Sequence, residues 1–255
     1  DGHHAWARRI AGETIVLLKN EGDLLPLDEN AVTKIAVIGP NADDMLAQLG
    51  DWVTQRHHID ELRRDISAYA SVLRGIRERV GDKIEIAYAR GCDAINADDK
   101  DIAGAVALAK EADIVIAVIG DNTLISGEYR DRANLDLPGA QQELIEALYA
   151  TGTPVVAVLI NGKPVTIPWV AQNVPAIVEA FNPGMRGGEA VAGVLFGDRN
   201  PQGKLTVSFP YHVGQQPVYY NQVPGWHAAS YVDMPEEPLF AFGYGLSYTT
   251  YEYAN

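Results

Sequence analysis

Acid–base chemistry on a neutral substrate needs a carboxylate that can be brought into a cleft, and the run Ile125-Ser-Gly-Glu-Tyr-Arg-Asp-Arg132 offers one at Glu128. Gly127 beside it marks an exposed loop tip, which can deliver a carboxylate where a helix face cannot. The same spacing also fits a solvated glutamate paired with Arg130 or Arg132, a common arrangement that contributes little. Trp52, in Leu49-Gly-Asp-Trp-Val53, has two readings as well. Its flat ring could stack on the apolar face of a sugar, or it could pack its own loop down.

Other chemistries are poorly served. His3-His4 and His57-His58 are adjacent pairs, so neither has the same-face spacing of a helical metal site, and no acidic ligand pattern accompanies them. No metal or other cofactor is expected. There is no Gly-x-Ser-x-Gly elbow and no Walker loop. The Gly243-Tyr-Gly245 pair lies far from any first strand-to-helix turn, so a nucleotide- or flavin-binding sandwich rests on fold analogy alone.

The candidate loops hang on a regular alternation of elements. Short β-branched runs at 34–38, 84–88, 114–119, 155–160, 176–180 and 205–209 read as strands, with helical patterns at about 61–79, 101–111, 140–150 and 187–195. An amphipathic helix over residues 5–20 precedes them, stopped by Gly22 and Pro26. Strands alternating with helices predict an α/β fold, a three-layer αβα sandwich on a mostly parallel sheet of about six strands. Four strands end in turn signals, at Gly39-Pro40-Asn41, Gly120-Asp121-Asn122, Asn161-Gly162 and Asn182-Pro183-Gly184. The crevice beyond the carboxyl ends of parallel strands is where such sheets bind ligands. Two of these loops are long, after 34–38 and after 114–119, and carry Trp52 and Glu128 respectively. Residues 1–210 are expected to form the sandwich domain, and 211–255 an irregular aromatic-rich tail wrapping it.

The 255 residues carry 20 basic against 34 acidic side chains, a net charge of −14, which disfavours nucleic acid and anionic membranes as partners. Cys92 is the single cysteine, so there is no intrachain disulfide framework. No apolar run is long enough to span a bilayer and no signal-peptide pattern opens the chain. The chain begins abruptly in helical sequence and is expected to be a fragment, which leaves its compartment open.

Six motifs in order resemble the C-terminal α/β sandwich domain of glycoside hydrolase family 3, the β-glucosidase and β-xylosidase type. They are Ile15-Val-Leu-Leu-Lys-Asn20 with Leu24-Leu-Pro-Leu27, Ile38-Gly-Pro-Asn-Ala42, Gly127-Glu-x-x-x-Arg132 with Leu137-Pro-Gly139, Asn182-Pro-Gly-x-x-Gly-Gly-Glu-Ala190, Leu195-Phe-Gly-Asp198 with Asn200-Pro-x-Gly-Lys-Leu205, and Phe242-Gly-Tyr-Gly-Leu-Ser-Tyr248.

The resemblance implies an exo-acting retaining β-glycosidase, a β-glucosidase first of all. Its nucleophile lies on a (β/α)8 barrel absent from this chain, and its general acid/base lies on this sandwich. Glu128 matches the acid/base and Arg132 the arginine four residues on, while Trp52 matches an aromatic on the side of the sugar beyond the scissile bond. Where the family often has glycine, this chain has Tyr129, which makes Asp131 the fallback carboxylate; Asp136, nearer the following helix, is read as structural. Arg130 and Arg132, so close to Glu128, would hold it ionised, and closure against the barrel is expected to direct them elsewhere. The chain alone is expected to be inactive, with a β-glycoside as substrate, the barrel as partner, and oligomerisation left open. The competing reading is a non-catalytic module whose loops bind carbohydrate or another domain.

Overall fold

The computed structural model describes residues 2–51, 69–221 and 231–252. Trp52, His57, His58, the first part of the helix expected over 61–79, and residues 222–230 and 253–255 of the tail lie outside the described residues.

In chain order the elements are α1 (Gly2–Thr14), β1 (Val16–Asn20), β2 (Lys34–Ile38), α2 (Met45–Leu49), α3 (Val72–Val80), β3 (Glu85–Ala89), α4 (Ile102–Lys110), β4 (Ile114–Gly120), α5 (Gln141–Tyr149), β5 (Val155–Ile160), α6 (Pro168–Asn173), β6 (Ala176–Glu179) and α7 (Gly187–Leu195). The six strands form one sheet in the order β1-β6-β5-β4-β2-β3. All pairs are parallel except β1 with β6. The register places Val37, Ile116, Val156 and Ala176 side by side across four strands.

Because parallel strands are buried on both faces, their sequences read as continuous apolar runs, and every residue of β4 and β5 is buried. Val37, Ile116, Val118, Val158 and Val178 face one layer, which includes Ala11 of α1, Leu73 and Ile76 of α3, and Val191 and Leu195 of α7. Ala36, Ile38, Ala117, Ile119, Ala157 and Leu159 face the other, built from Ala105 of α4, Leu144 and Leu148 of α5, and Val170 of α6. Each such large aliphatic side chain contributes about 1.5–3 kcal/mol by leaving water. The α3 and α7 axes approach so closely that a Cβ on Gly75 would lie 2.2 Å from the Gly188 carbonyl.

Two expectations are corrected. The helix over 5–20 ends at Thr14, and residues 16–20 form β1 instead. Ile15 to Leu18 satisfies helical spacing, but four successive buried residues, alternately facing the two core layers, equally describe a strand covered on both sides. The run 205–209 is not a strand of the sheet. Leu205 and Phe209 are buried while Val207 between them is exposed. The segment meets 240–244 through single contacts, with Phe209 and Phe240 exchanging backbone hydrogen bonds (2.8 and 3.3 Å) and the Leu205 N–H reaching the Tyr244 carbonyl (2.9 Å). From there the chain continues to Leu246, whose N–H donates to the Leu17 carbonyl of β1 at 2.8 Å.

Candidate active-site loop

The loops that leave β2, β4, β5 and β6 at their carboxyl ends are tied to one another by buried amides. After β2, the Asn41 amide donates to the Asp121 carbonyl (2.9 Å) and the Ile160 carbonyl (3.2 Å). From the start of α5, Gln141 accepts the Gly120 N–H (2.8 Å) and donates to the carbonyls of Gly120 (2.8 Å) and Ala94 (2.9 Å). Both side chains are buried, where an unpaired backbone group would cost about 1–3 kcal/mol.

Asp121 begins the long loop after β4. Its carboxylate accepts the Gly162 N–H at 2.9 Å. Burial raises its proton affinity, partly countered by that N–H, by the charges of Lys163 and Arg132 and by the Ser126 hydroxyl. The next stretch is a tight coil in which Ile125 and Ser126 both donate N–H to the Asn122 carbonyl (3.1 and 3.0 Å). Lys163, in the loop after β5, donates its ammonium N–H groups to the carbonyls of Ile125 (3.2 Å) and Arg130 (2.9 Å), bracketing Glu128.

Within that bracket the backbone turns twice into the left-handed region, at Gly127 (φ 141°) and Tyr129 (φ 59°). The pair of turns leaves Glu128 and Tyr129 exposed, with Tyr129 94% accessible. The Glu128 carboxylate has no hydrogen bond or ion pair among the described residues. The arginines lie elsewhere: Arg130 Nη1 is 2.7 Å from Asp51 Oδ1, and Arg132 Nη2 is 2.6 Å from the Asp136 carbonyl oxygen. No ion pair joins Glu128 to either arginine, both of which have other partners within this chain. Asp131 is exposed. Asp136 accepts a hydrogen bond from the Thr166 hydroxyl and thereby braces the return of the loop to the sheet.

Asp51 is the contributor that the sequence hides. It follows α2, which is held against the end of β6: the Gln48 amide donates to Gly184 O (3.0 Å) and Ala70 O (2.8 Å), and the Asn182 amide donates to Ala47 O (2.9 Å). Asp51 then reaches across to the β4 loop, pairing with Arg130 through one oxygen and accepting the Glu128 N–H through the other in a long bond of 3.4 Å. A Cβ on Gly127 would lie 2.4 Å from that second oxygen. Trp52 is the next residue but lies outside the described ones. Asn41, Asp121 and Asn161 each occupy a turn signal visible in the sequence. Asp51, Lys163 and Gln141 carry no such local signal.

One further acid lies beneath this edge. Glu179, the last residue of β6, is fully buried and accepts the Phe181 N–H (2.6 Å) and the Asn161 amide (3.2 Å). Burial pushes its carboxyl up to about 8. Among the described residues, no group of three or more His, Cys, Asp or Glu side chains is placed to hold a metal ion.

Sheet order, two-sided burial and a braced acidic loop beyond the strand ends define a doubly wound α/β sandwich with its polar edge at the carboxyl ends of the strands. Residues 15–248 match the glycosyl hydrolase family 3 C-terminal domain, and the chain belongs to that glycoside hydrolase family. A β-xylosidase from Formosa agariphila is 44% identical over 99% of the chain, and a periplasmic β-glucosidase from Salmonella typhimurium is 39% identical over 98%. Among solved structures, a β-glucosidase from Erythrobacter marinus superposes with a TM-score of 0.86 at 39% identity, covering 98% of this chain. The chain spans 35% of the length of each of these three proteins.

Proposed function

We propose that this chain supplies the general acid/base of an exo-acting retaining β-glycosidase, with Glu128 as that residue and the nucleophile on a (β/α)8 barrel outside the chain. The observation that carries the reading is the presentation of Glu128. It is exposed between two left-handed turns, braced on both sides by Lys163, with its neighbouring arginines engaged by Asp51 and Asp136. A general acid must carry its proton until the leaving oxygen takes it, which neighbouring arginine charges oppose and desolvation in a closed cleft favours.

In the first step the barrel carboxylate forms a bond to the anomeric carbon as the bond from that carbon to the leaving oxygen breaks, and Glu128 gives its proton to that oxygen. In the second, ionised Glu128 takes a proton from water, the water oxygen bonds to the anomeric carbon, and the barrel carboxylate leaves. Retention requires the two carboxyl groups to lie about 5–5.5 Å apart. A single loop glutamate cannot fill both roles, so the chain alone is inactive. Trp52 is assigned to the sugar beyond the scissile bond on the family resemblance alone. β-Glucosides are the first substrates to test, with β-xylosides beside them, since relatives bear both names.

The test is Glu128→Ala assayed on aryl β-glucoside and β-xyloside in the full-length polypeptide. Activity should fall by about 10²–10⁴-fold. Azide with an activated substrate should restore turnover and yield a glycosyl azide. Undiminished activity in the variant would remove Glu128 from the mechanism and leave a binding module.

A further inference from the structure

We propose that Asp51 is a positioning residue for Glu128, acting by engaging the Arg130 guanidinium and fixing the backbone on which Glu128 stands. The inference rests on the reading of Glu128 as acid/base and adds a residue on a different loop.

Three observations carry it. The Asp51–Arg130 contact is short, 2.7 Å, and both side chains are largely sheltered, at 20% and 13% accessibility, in contrast to exposed pairs such as Arg9–Glu13 and Arg74–Glu78. The other Asp51 oxygen accepts the Glu128 N–H, so one carboxylate holds both the residue and the cation two positions after it. Asp51 is itself delivered by α2, which Gln48 and Asn182 fasten to the end of β6.

The chemical consequence follows from charge. Lys163 donates to the Ile125 and Arg130 carbonyls, and Arg132 donates to the Asp136 carbonyl with its charge acting on Asp121, so Arg130 is the loop cation that a carboxylate of the neighbouring loop holds. Without Asp51, the carboxylates nearest to Arg130 in sequence are Glu128 and Asp131. A guanidinium clamped on Glu128 would favour the ionised form and withhold the proton that the leaving oxygen needs. Asp51 would then matter for leaving groups that need protonation and little for those that do not. That dependence separates a positioning role from a merely structural one, which would lower both alike.

The experiment compares Asp51→Asn, Asp51→Glu, Arg130→Met and the double variant Asp51→Asn/Arg130→Met in the full-length polypeptide, with Glu128→Gln as control. The substrates are phenyl and 2,4-dinitrophenyl β-glycosides of the preferred sugar. Asp51→Asn should lower kcat/KM for the phenyl glycoside by roughly 10–100-fold, a fraction of what acid catalysis contributes, with less than about a threefold change for the dinitrophenyl glycoside. Asp51→Glu should restore part of the loss. Removing Arg130 as well should also recover activity, because the misplaced cation is gone. Equal losses on both substrates, or a double variant no better than Asp51→Asn, would overturn the inference even if every variant folds. If Glu128→Gln lacks activity on the phenyl glycoside while Asp51→Asn matches wild type, the inference alone fails. If Glu128→Gln retains that activity, the reading of Glu128 fails and the inference with it.

Discussion

The Arg130 guanidinium lies 2.7 Å from the Asp51 carboxylate, joining two loops 79 residues apart in the chain. The contact unites the loop after β2 with the loop after β4 just where Glu128 is presented. It also bears on an electrostatic conflict evident in the sequence, where the glutamate proposed as general acid sits two residues from one arginine and four from another.

The joint depends on Gly127. Its φ of 141° is a conformation that L side chains rarely adopt, and an added Cβ would fall 2.4 Å from the Asp51 carboxylate. Strain of this kind costs about 1–3 kcal/mol. Gly127→Ala should therefore swing Glu128 away from its position and lower kcat by more than about tenfold, since small misplacements of a reacting group are expensive. Because the exposed loop relieves most of that strain by moving, thermal unfolding should change little. A variant with wild-type kcat would show that the Gly127 backbone does not set the reach of Glu128.

Lys163 holds the same loop from the opposite side. Its two bonds go to main-chain carbonyls at separations of 38 and 33 residues, and hydrogen bonds from a charged donor contribute about 1.5–3 kcal/mol. Lys163→Met keeps much of the aliphatic stem and loses both bonds. Faster amide exchange should follow across residues 125–130, with a fall in activity and unchanged exchange in β4 and β5. Protection of the loop equal to wild type would mean that Asp51 and the coil after Asn122 suffice to order it.

How much of this was legible in the sequence varies with the range of the interaction. The central strands were readable because a strand buried on both faces must be a continuous apolar run, as in Ile114–Gly120 and Val155–Ile160. β1 was not, because Ile15 to Leu18 satisfies helical and buried-strand patterns alike, and only its antiparallel seat against β6 decides. The run 205–209 has apolar residues at both ends but lacks the neighbouring ladder that makes a strand. The exposed loop tip at Glu128 is legible because its glycine is adjacent, whereas its assignment as acid/base comes from the family resemblance. Asp51, Lys163 and Gln141 act on partners tens of residues away, and nothing local distinguishes them from solvated surface residues.

Gln141 illustrates the cost of overlooking such a residue. It reads as part of the first turn of a helix, yet its buried amide closes two backbone bonds at the end of β4 and a third to Ala94. Gln141→Leu preserves size and apolar packing but strands the Gly120 N–H and two carbonyls. At about 1–3 kcal/mol per buried unpaired group, a net loss of roughly 3 kcal/mol is expected. For a domain of this size that lowers Tm by roughly 6–12 °C. A change of under about 2 °C would mean that water replaces the amide without penalty.

Glu179 makes the stability of the domain depend on pH. Its carboxyl, raised by burial from 4.5 to about 8, is opposed only in part by the Phe181 N–H and the Asn161 amide, and the nearby Asp121 raises it further. Between pH 4.5 and about 8 the folded chain keeps a proton that the unfolded chain releases. The stability that this proton supplies is complete below pH 4.5, declines as pH rises through the window, and is gone above about 8. Glu179→Gln cannot ionise and keeps an oxygen for the Phe181 N–H. Its Tm should fall less than that of wild type between pH 5 and pH 8, so that the two curves converge or cross toward the alkaline end. Asp121 is also raised by burial and is present in both proteins, so the difference between the two curves reports Glu179 together with its coupling to Asp121. Parallel curves across that range would show that Glu179 is already ionised in the folded domain, held by partners stronger than the two hydrogen bonds it makes.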